Sequence, residues 1–165
     1  MAKLKRSAHL FYIDSSWGSG TPSWFLIGKD IEDMSIDLGA DVETTKNILD
    51  ETSVSLNGYE PSIEVSPYIA NPTDAIWNKL KSAAMDRVMD DEHCKTKMLE
   101  VLVEDTEATS HSAWMQDCYV VPQSVGGDTT GLQIPFDVHP DGTRTAGTAA
   151  LTAGRTATFT PAAAG

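Results

Sequence analysis

Glu43-Thr-Thr-Lys-Asn-Ile-Leu-Asp-Glu-Thr-Ser-Val-Ser-Leu-Asn-Gly-Tyr-Glu-Pro-Ser62 leads without a break into Ile63-Glu-Val-Ser-Pro67. A polar excursion thus gives way to Thr52–Leu56, where Val54 and Leu56 alternate with Ser53 and Ser55. Side chains of a strand alternate between faces, so this reads as a strand with Val54 and Leu56 inward. Asn57-Gly58 tolerates positive φ at both residues and reads as a reversal. Ile63, Val65 and Ile69 then alternate with Glu64, Ser66 and Tyr68, with Pro67 marking a strand end. The expected pattern is two strands and one long loop, residues 39–51, held clear of the core.

Outward from that stretch, the upstream segment carries β patterning. Trp24-Phe-Leu-Ile-Gly28 is a short apolar strand ending at a glycine. Ile31 to Leu38 places Met34, Ile36 and Leu38 on one face and Asp33, Ser35 and Asp37 on the other. Residues 1–22 read as an extended arm anchored by Leu10, Phe11, Tyr12 and Trp17.

Downstream, Asn71-Pro72 has the chemistry of a helix cap and first turn, and Ile76, Leu80, Ala83, Ala84 and Val88 recur at helical spacing. Asp90-Asp91-Glu92 is expected to stop that helix. Lys95–Asp105 and Ala113–Val121 read as strands, Gly126–Gly131 as a turn, and Leu132, Ile134, Phe136 and Val138 as one face of another strand. Pro140-Asp-Gly142 reads as a further turn. The Ala/Thr/Gly-rich region 143–165 offers Thr156–Thr160 as a last edge strand, with the final residues frayed. Roughly six to eight strands and one helix make an α+β, mainly β fold: a β-sandwich or half-barrel with one helix on its outside.

The chain has 165 residues, enough for one domain with a real core, and 41% of them are hydrophobic. Its net charge is −12, from 24 acidic and 12 basic residues. Such a body repels phosphates, which argues against sequence-specific DNA binding. No apolar run approaches the roughly 18 residues that span a bilayer, and the basic start lacks a secretory apolar block. No membrane association is expected.

Catalytic and metal chemistry find little support. His93, Cys94, His111 and Cys118 lack Cys-x-x-Cys spacing. Cys118, in an apolar strand, reads as a small core residue. Gly18-x-Gly20 and Gly126-Gly127 lack the lysine and strand–loop–helix context of a phosphate cradle. Asp90, Asp91 and Glu92 lack calcium-loop spacing. No catalytic residue, metal or cofactor is assigned, and an enzyme is the least favoured class.

Taken in order, several features resemble the major tail (tail tube) proteins of long-tailed phages over essentially the whole chain. They are Trp24-x-Leu-Ile-Gly-Lys-Asp30, the acidic second strand, Glu43-Thr-Thr and Ile48-Leu-Asp-Glu51, Gly58-Tyr-Glu-Pro-Ser62, the helix after Asn71-Pro72, and Gly147-Thr…Thr158-Phe-Thr-Pro161. The Ala-Leu-Thr-Ala-Gly linker of the final hairpin departs from the family pattern. The resemblance implies a structural virion protein assembled in the bacterial host cytoplasm. Six copies would form a ring, and rings would stack into a hollow tube that conducts DNA without binding it specifically. Its partners would be other copies of itself, a tape-measure protein, and tail tip and terminator proteins.

On that reading Thr44, Thr45, Lys46, Asn47, Ile48 and Leu49 are inter-ring loop contacts, and Ile48 and Leu49 need a partner to bury against. Asp33, Ser35, Asp37, Ser53 and Ser55 are candidates for the lumen wall, where negative charge keeps passing DNA from sticking. A contractile injection or secretion-system tube protein and a monomeric β-sandwich binding module are the alternatives.

Overall fold

The computed structural model describes residues 3–29, 31 and 33–163. Met1, Ala2, Asp30, Glu32, Ala164 and Gly165, on which parts of the arm, second-strand and terminal expectations fall, lie outside the described residues. Among the described residues twelve strands occur: β1 His9–Asp14, β2 Trp24–Ile27, β3 Ile36–Asp37, β4 Ala40–Lys46, β5 Thr52–Tyr59, β6 Ser62–Val65, β7 Lys95–Leu102, β8 His111–Pro122, β9 Gly126–Asp128, β10 Gly131–Gln133, β11 Phe136–Thr152 and β12 Thr156–Pro161. Two helices, α1 Trp77–Met85 and α2 Asp91–Cys94, lie between β6 and β7.

The main sheet runs β2-β1-β7-β8-β11-β6-β3, with β12 also paired to β11. Every pairing in it is antiparallel. The result is an α+β, mainly β fold whose sheet curls into a half-barrel. The curl follows from packing on the two sheet faces. Leu10 and Tyr12 of β1, Leu99 and Val101 of β7, Ala113, Ala149 and Ala157 form one buried cluster, against which Trp24 and Leu26 of β2 and Phe159 of β12 pack. Strands from opposite ends of the sheet therefore cover the same apolar residues.

The other face holds Phe11, Ile13, Ile63, Val65, Met98, Cys118, Val120, Phe136 and Val138, covered by Ile76, Leu80 and Ala84 around α1. Both faces of β1 are thus buried, as its continuous apolar run requires. The segment expected to be an extended arm contains an inner strand of the sheet, between β2 and β7. Tyr12 on that strand donates a 2.6 Å hydrogen bond to the Arg155 carbonyl in the β11–β12 connection.

Several local expectations are corrected. The Asn71 carboxamide accepts from the backbone N–H and hydroxyl of Thr73, closing a turn, so the helix begins only at Trp77. Arg87, at φ 56°, ends it, and Asp90 caps α2 by accepting from the His93 N–H at 2.9 Å. Asp90 therefore starts a helix as well as following one. Pro140-Asp-Gly142 is no reversal: β11 continues through it, with a register shift between Asp141 and Thr145 against β8. Gly126–Gln133 is a small hairpin of β9 and β10.

Candidate functional site

β4 and β5 form a two-stranded sheet apart from the main one, and every residue of both strands is exposed. The stretch expected to be a loop, residues 39–51, is thus one strand and the tip of a projecting β-hairpin. Val42, Thr44 and Thr45 are β-branched and suit the extended state, a signal that the polarity of the segment obscured. Asn57-Gly58 is not the turn. It lies within β5, where the register shifts between Asp41↔Gly58 and Val42↔Leu56, so Asn57 is the extra residue of a bulge and Gly58 adopts φ 134°.

The hairpin has two unlike faces. Residues opposite one another share a face, so Val42 pairs with Leu56 and Thr44 with Val54 on one side, while Glu43 pairs with Ser55 and Thr45 with Ser53 on the other. One face is apolar and the other polar. Val54 and Leu56, expected inward, are 61% and 78% exposed. They do face the apolar side, but nothing among the described residues covers it.

The tip is built by one side chain. Asn47 accepts from the N–H groups of Leu49 at 2.8 Å and Glu51 at 3.1 Å and donates to the Glu51 carboxylate at 2.8 Å. Asp50 takes the left-handed conformation at φ 63°. This geometry turns Ile48 and Leu49 outward, 99% and 71% exposed. Thr44, Thr45 and Lys46 stand on β4 rather than in a loop, and Lys46 pairs with Asp50 at 3.1 Å in solvent.

At the base, Gly39 adopts φ 55°, and a Cβ there would collide with the Glu60 carbonyl. Beside this base lies a groove of about 880 Å³. Its apolar wall includes Leu4, Leu38, Tyr59 and Leu102. Its polar wall joins Glu100 to His9 at 3.3 Å and to Arg144 at 2.8 Å. Burial alone would raise the Glu100 pKa, but hydrogen bonds from His9 and Arg144 and the guanidinium charge pull it down to about 2.

The lumen candidates separate into two groups. Asp33, Ser35 and Asp37 are exposed and line a shallow polar groove with Ser62, Glu64 and Ser66. Among the described residues of the expected second strand only Ile36–Asp37 is β, and Leu38 is exposed rather than facing the core with Met34. Ser53 and Ser55 lie on the hairpin's polar face instead, a different sheet. The groove cations and Glu100 were missed by sequence reading, because no local spacing links residues 6, 9, 100 and 144. Among the described residues, no three His, Cys, Asp or Glu side chains cluster as a metal site, and no helix is long and apolar enough to cross a membrane.

No protein-family model and no curated protein matches the chain. Among solved structures, the chain is similar to the sheath/tube terminator of the extracellular contractile injection system PVC, seen by cryo-EM in the extended state. That match has a TM-score of 0.52 at 9% identity, over 88% of this chain and 97% of that one. It is also similar to the tube-terminating cap of the anti-feeding prophage, with a TM-score of 0.50 at 12% identity over 88% of this chain and 91% of that one. At such identities the likeness is one of fold.

Proposed function

We propose that this chain is the repeating structural subunit of a phage-tail-type tube. Six copies close into a ring, and rings stack into a hollow conduit that delivers DNA into the host. The observation that carries the reading is the projecting hairpin: one apolar and one polar face, wholly exposed, on a fold shared with tube terminators. An exposed apolar face on a projecting strand pair marks a surface that another chain can cover. In the ring the apolar face packs against a neighbour and the polar face, with Glu43, Ser53 and Ser55, turns to the lumen. Asp33, Ser35 and Asp37 add negative charge to the same conduit, which disfavours adhesion of DNA.

The tip carrying Ile48 and Leu49 reaches the adjacent ring. The subunit belongs to the virion tail, and its further partners are a tape-measure protein and the tip and terminator proteins. Electron microscopy of the purified protein at rising concentration tests the reading: rings and tubes are expected, and a stable monomer throughout would overturn it. A second reading, a terminator that closes the end of a phage or contractile-injection tube, is favoured by what the two fold neighbours are. It expects single rings that never stack on themselves.

A further inference from the structure

The groove beside the hairpin base differs in charge from the rest of the molecule. Among the described residues, Lys5, Arg6 and Arg144 line it against a single carboxylate, Glu100, so this lining is positive on a protein of net charge −12. Arg6 donates to the carbonyls of His9 at 2.9 Å and Met34 at 2.8 Å, contacts that orient its guanidinium without cancelling its charge. The apolar wall is just as open, with Leu4 59%, Leu38 54% and Tyr59 68% exposed. A ligand suited to this groove combines apolar side chains with one or two carboxylates in a short projecting segment.

The chain carries such a segment. The tip Ile48-Leu-Asp-Glu51 presents two exposed apolar side chains followed by two acids. Among the described residues, the Asp50 carboxylate meets only the exposed Lys46, a pairing worth little in water and readily exchanged. A chain's own tip does not reach its own groove: Leu38 and Tyr59 stand at the base of the hairpin, and the paired strands carry the tip about 20 Å away at roughly 3.3 Å per residue.

We infer that the groove bounded by Leu38, Tyr59 and Arg6 is the socket for the hairpin tip of a second copy of this chain, Ile48 and Leu49 entering the apolar wall and Asp50 and Glu51 meeting the cations. The inference rests on the tube reading above and names the receiving surface that the reading leaves open. Tip and socket are different surfaces: repeated in one direction the contact is head-to-tail and builds closed rings or continuing helical stacks, whereas two copies exchanging tips would form a two-fold pair, which microscopy tells apart.

Cysteine pairing tests it, since Cys94 and Cys118 are buried and the introduced thiols are the accessible ones. An equimolar mixture of Ile48→Cys and Leu38→Cys, oxidised after assembly, is expected to give at least ten times the disulfide-linked dimer of either variant alone. Independently, Asp50→Lys is expected to reduce assembly at least tenfold, and Lys5→Glu in the same chain to restore it. If wild-type chains assemble yet the mixture gives no excess dimer and the second change no rescue, the socket lies elsewhere while the tube reading stands. If wild-type chains stay monomeric at every concentration, both fall.

Discussion

Arg144 donates to the Glu100 carboxylate at 2.8 Å from the irregular stretch of β11 between Asp141 and Thr145, while stacking 5.5 Å from the Trp114 ring centroid. Regular pairing would give Gln116 one partner; the extra residues swing Arg144 across to β7. The bulge thereby builds the polar wall of the groove, and it explains why the Pro-Asp-Gly signal there produces an irregularity within a strand.

The Glu100 pair sets a pH dependence. Its carboxyl, held at about 2 against an ordinary 4.5, contributes stability that is full above about pH 4.5 and lost as pH falls toward 2. Glu100→Gln is expected to be less stable than wild type by about 2 kcal/mol at neutral pH. Urea unfolding at several pH values should show that gap closing in acid; a gap independent of pH would mean the ion pair is not its source.

Tyr12→Phe leaves the Arg155 carbonyl without its 2.6 Å donor and should cost about 1 kcal/mol in denaturant unfolding. Burial raises the Tyr12 phenol to about 12 against some lowering by the Arg155 charge, so its neutral form is favoured in the fold. Its contribution is complete below pH 10 and vanishes as pH climbs through 12. Ultraviolet titration at pH 11 should find the Tyr12 and Tyr68 phenols, both raised by burial, still largely neutral in the folded wild type, and only one of them in Tyr12→Phe.

Asn47→Ala removes the side chain that ties Leu49 and Glu51. Amide exchange at those two residues is expected to quicken several-fold, with the unfolding midpoint unchanged because the hairpin buries nothing in the core. Asp50→Gly, at φ 63°, should instead stabilise the tip slightly. Slower assembly with Asn47→Ala would tie tip order to association.

Ile48→Asp with Leu49→Asp is expected to leave the melting temperature within a degree or two of wild type, since both side chains are already in water. Assembly should fail, because burying an unpaired carboxylate in an apolar contact is costly. Tubes of ordinary length from this variant would remove the tip from the interface.

Asp33→Lys with Ser35→Lys alters an exposed polar surface while leaving the Asp37 contact to Gly39 in place. Particles built from it should assemble normally but eject DNA more slowly, as positive charge retards a polyanion. Unchanged ejection kinetics would exclude these two residues from the conduit wall.

How much of this was legible depends on what each segment packs against. β7, β8, the start of β11 and β12 were readable because Met98–Val103, Ala113–Val121, Phe136–Val138 and Thr156–Thr160 carry β-forming side chains facing a core. The hairpin was not, because with both faces in water its alternation points to no core and its polarity imitates a loop. Asn57-Gly58 and Pro140-Asp-Gly142 misled for a shared reason: residues that permit positive φ serve bulges as readily as turns. The groove was invisible for another, since its charged members come together only through the pairing of β1, β7, β8 and β11.

Gly39 fixes more than a local kink. Its backbone lies so close to the Glu60 carbonyl that no side chain fits, and the Asp37 carboxylate accepts from its N–H at 3.0 Å while its own carbonyl accepts from the Glu60 N–H at 3.1 Å. These contacts form a rigid elbow between body and hairpin. Identical parts close into a circle only when each meets the next at one repeated angle, and an error of a few degrees per part accumulates into a spiral. In the proposed ring, an elbow with so little play would manufacture that angle afresh in every copy.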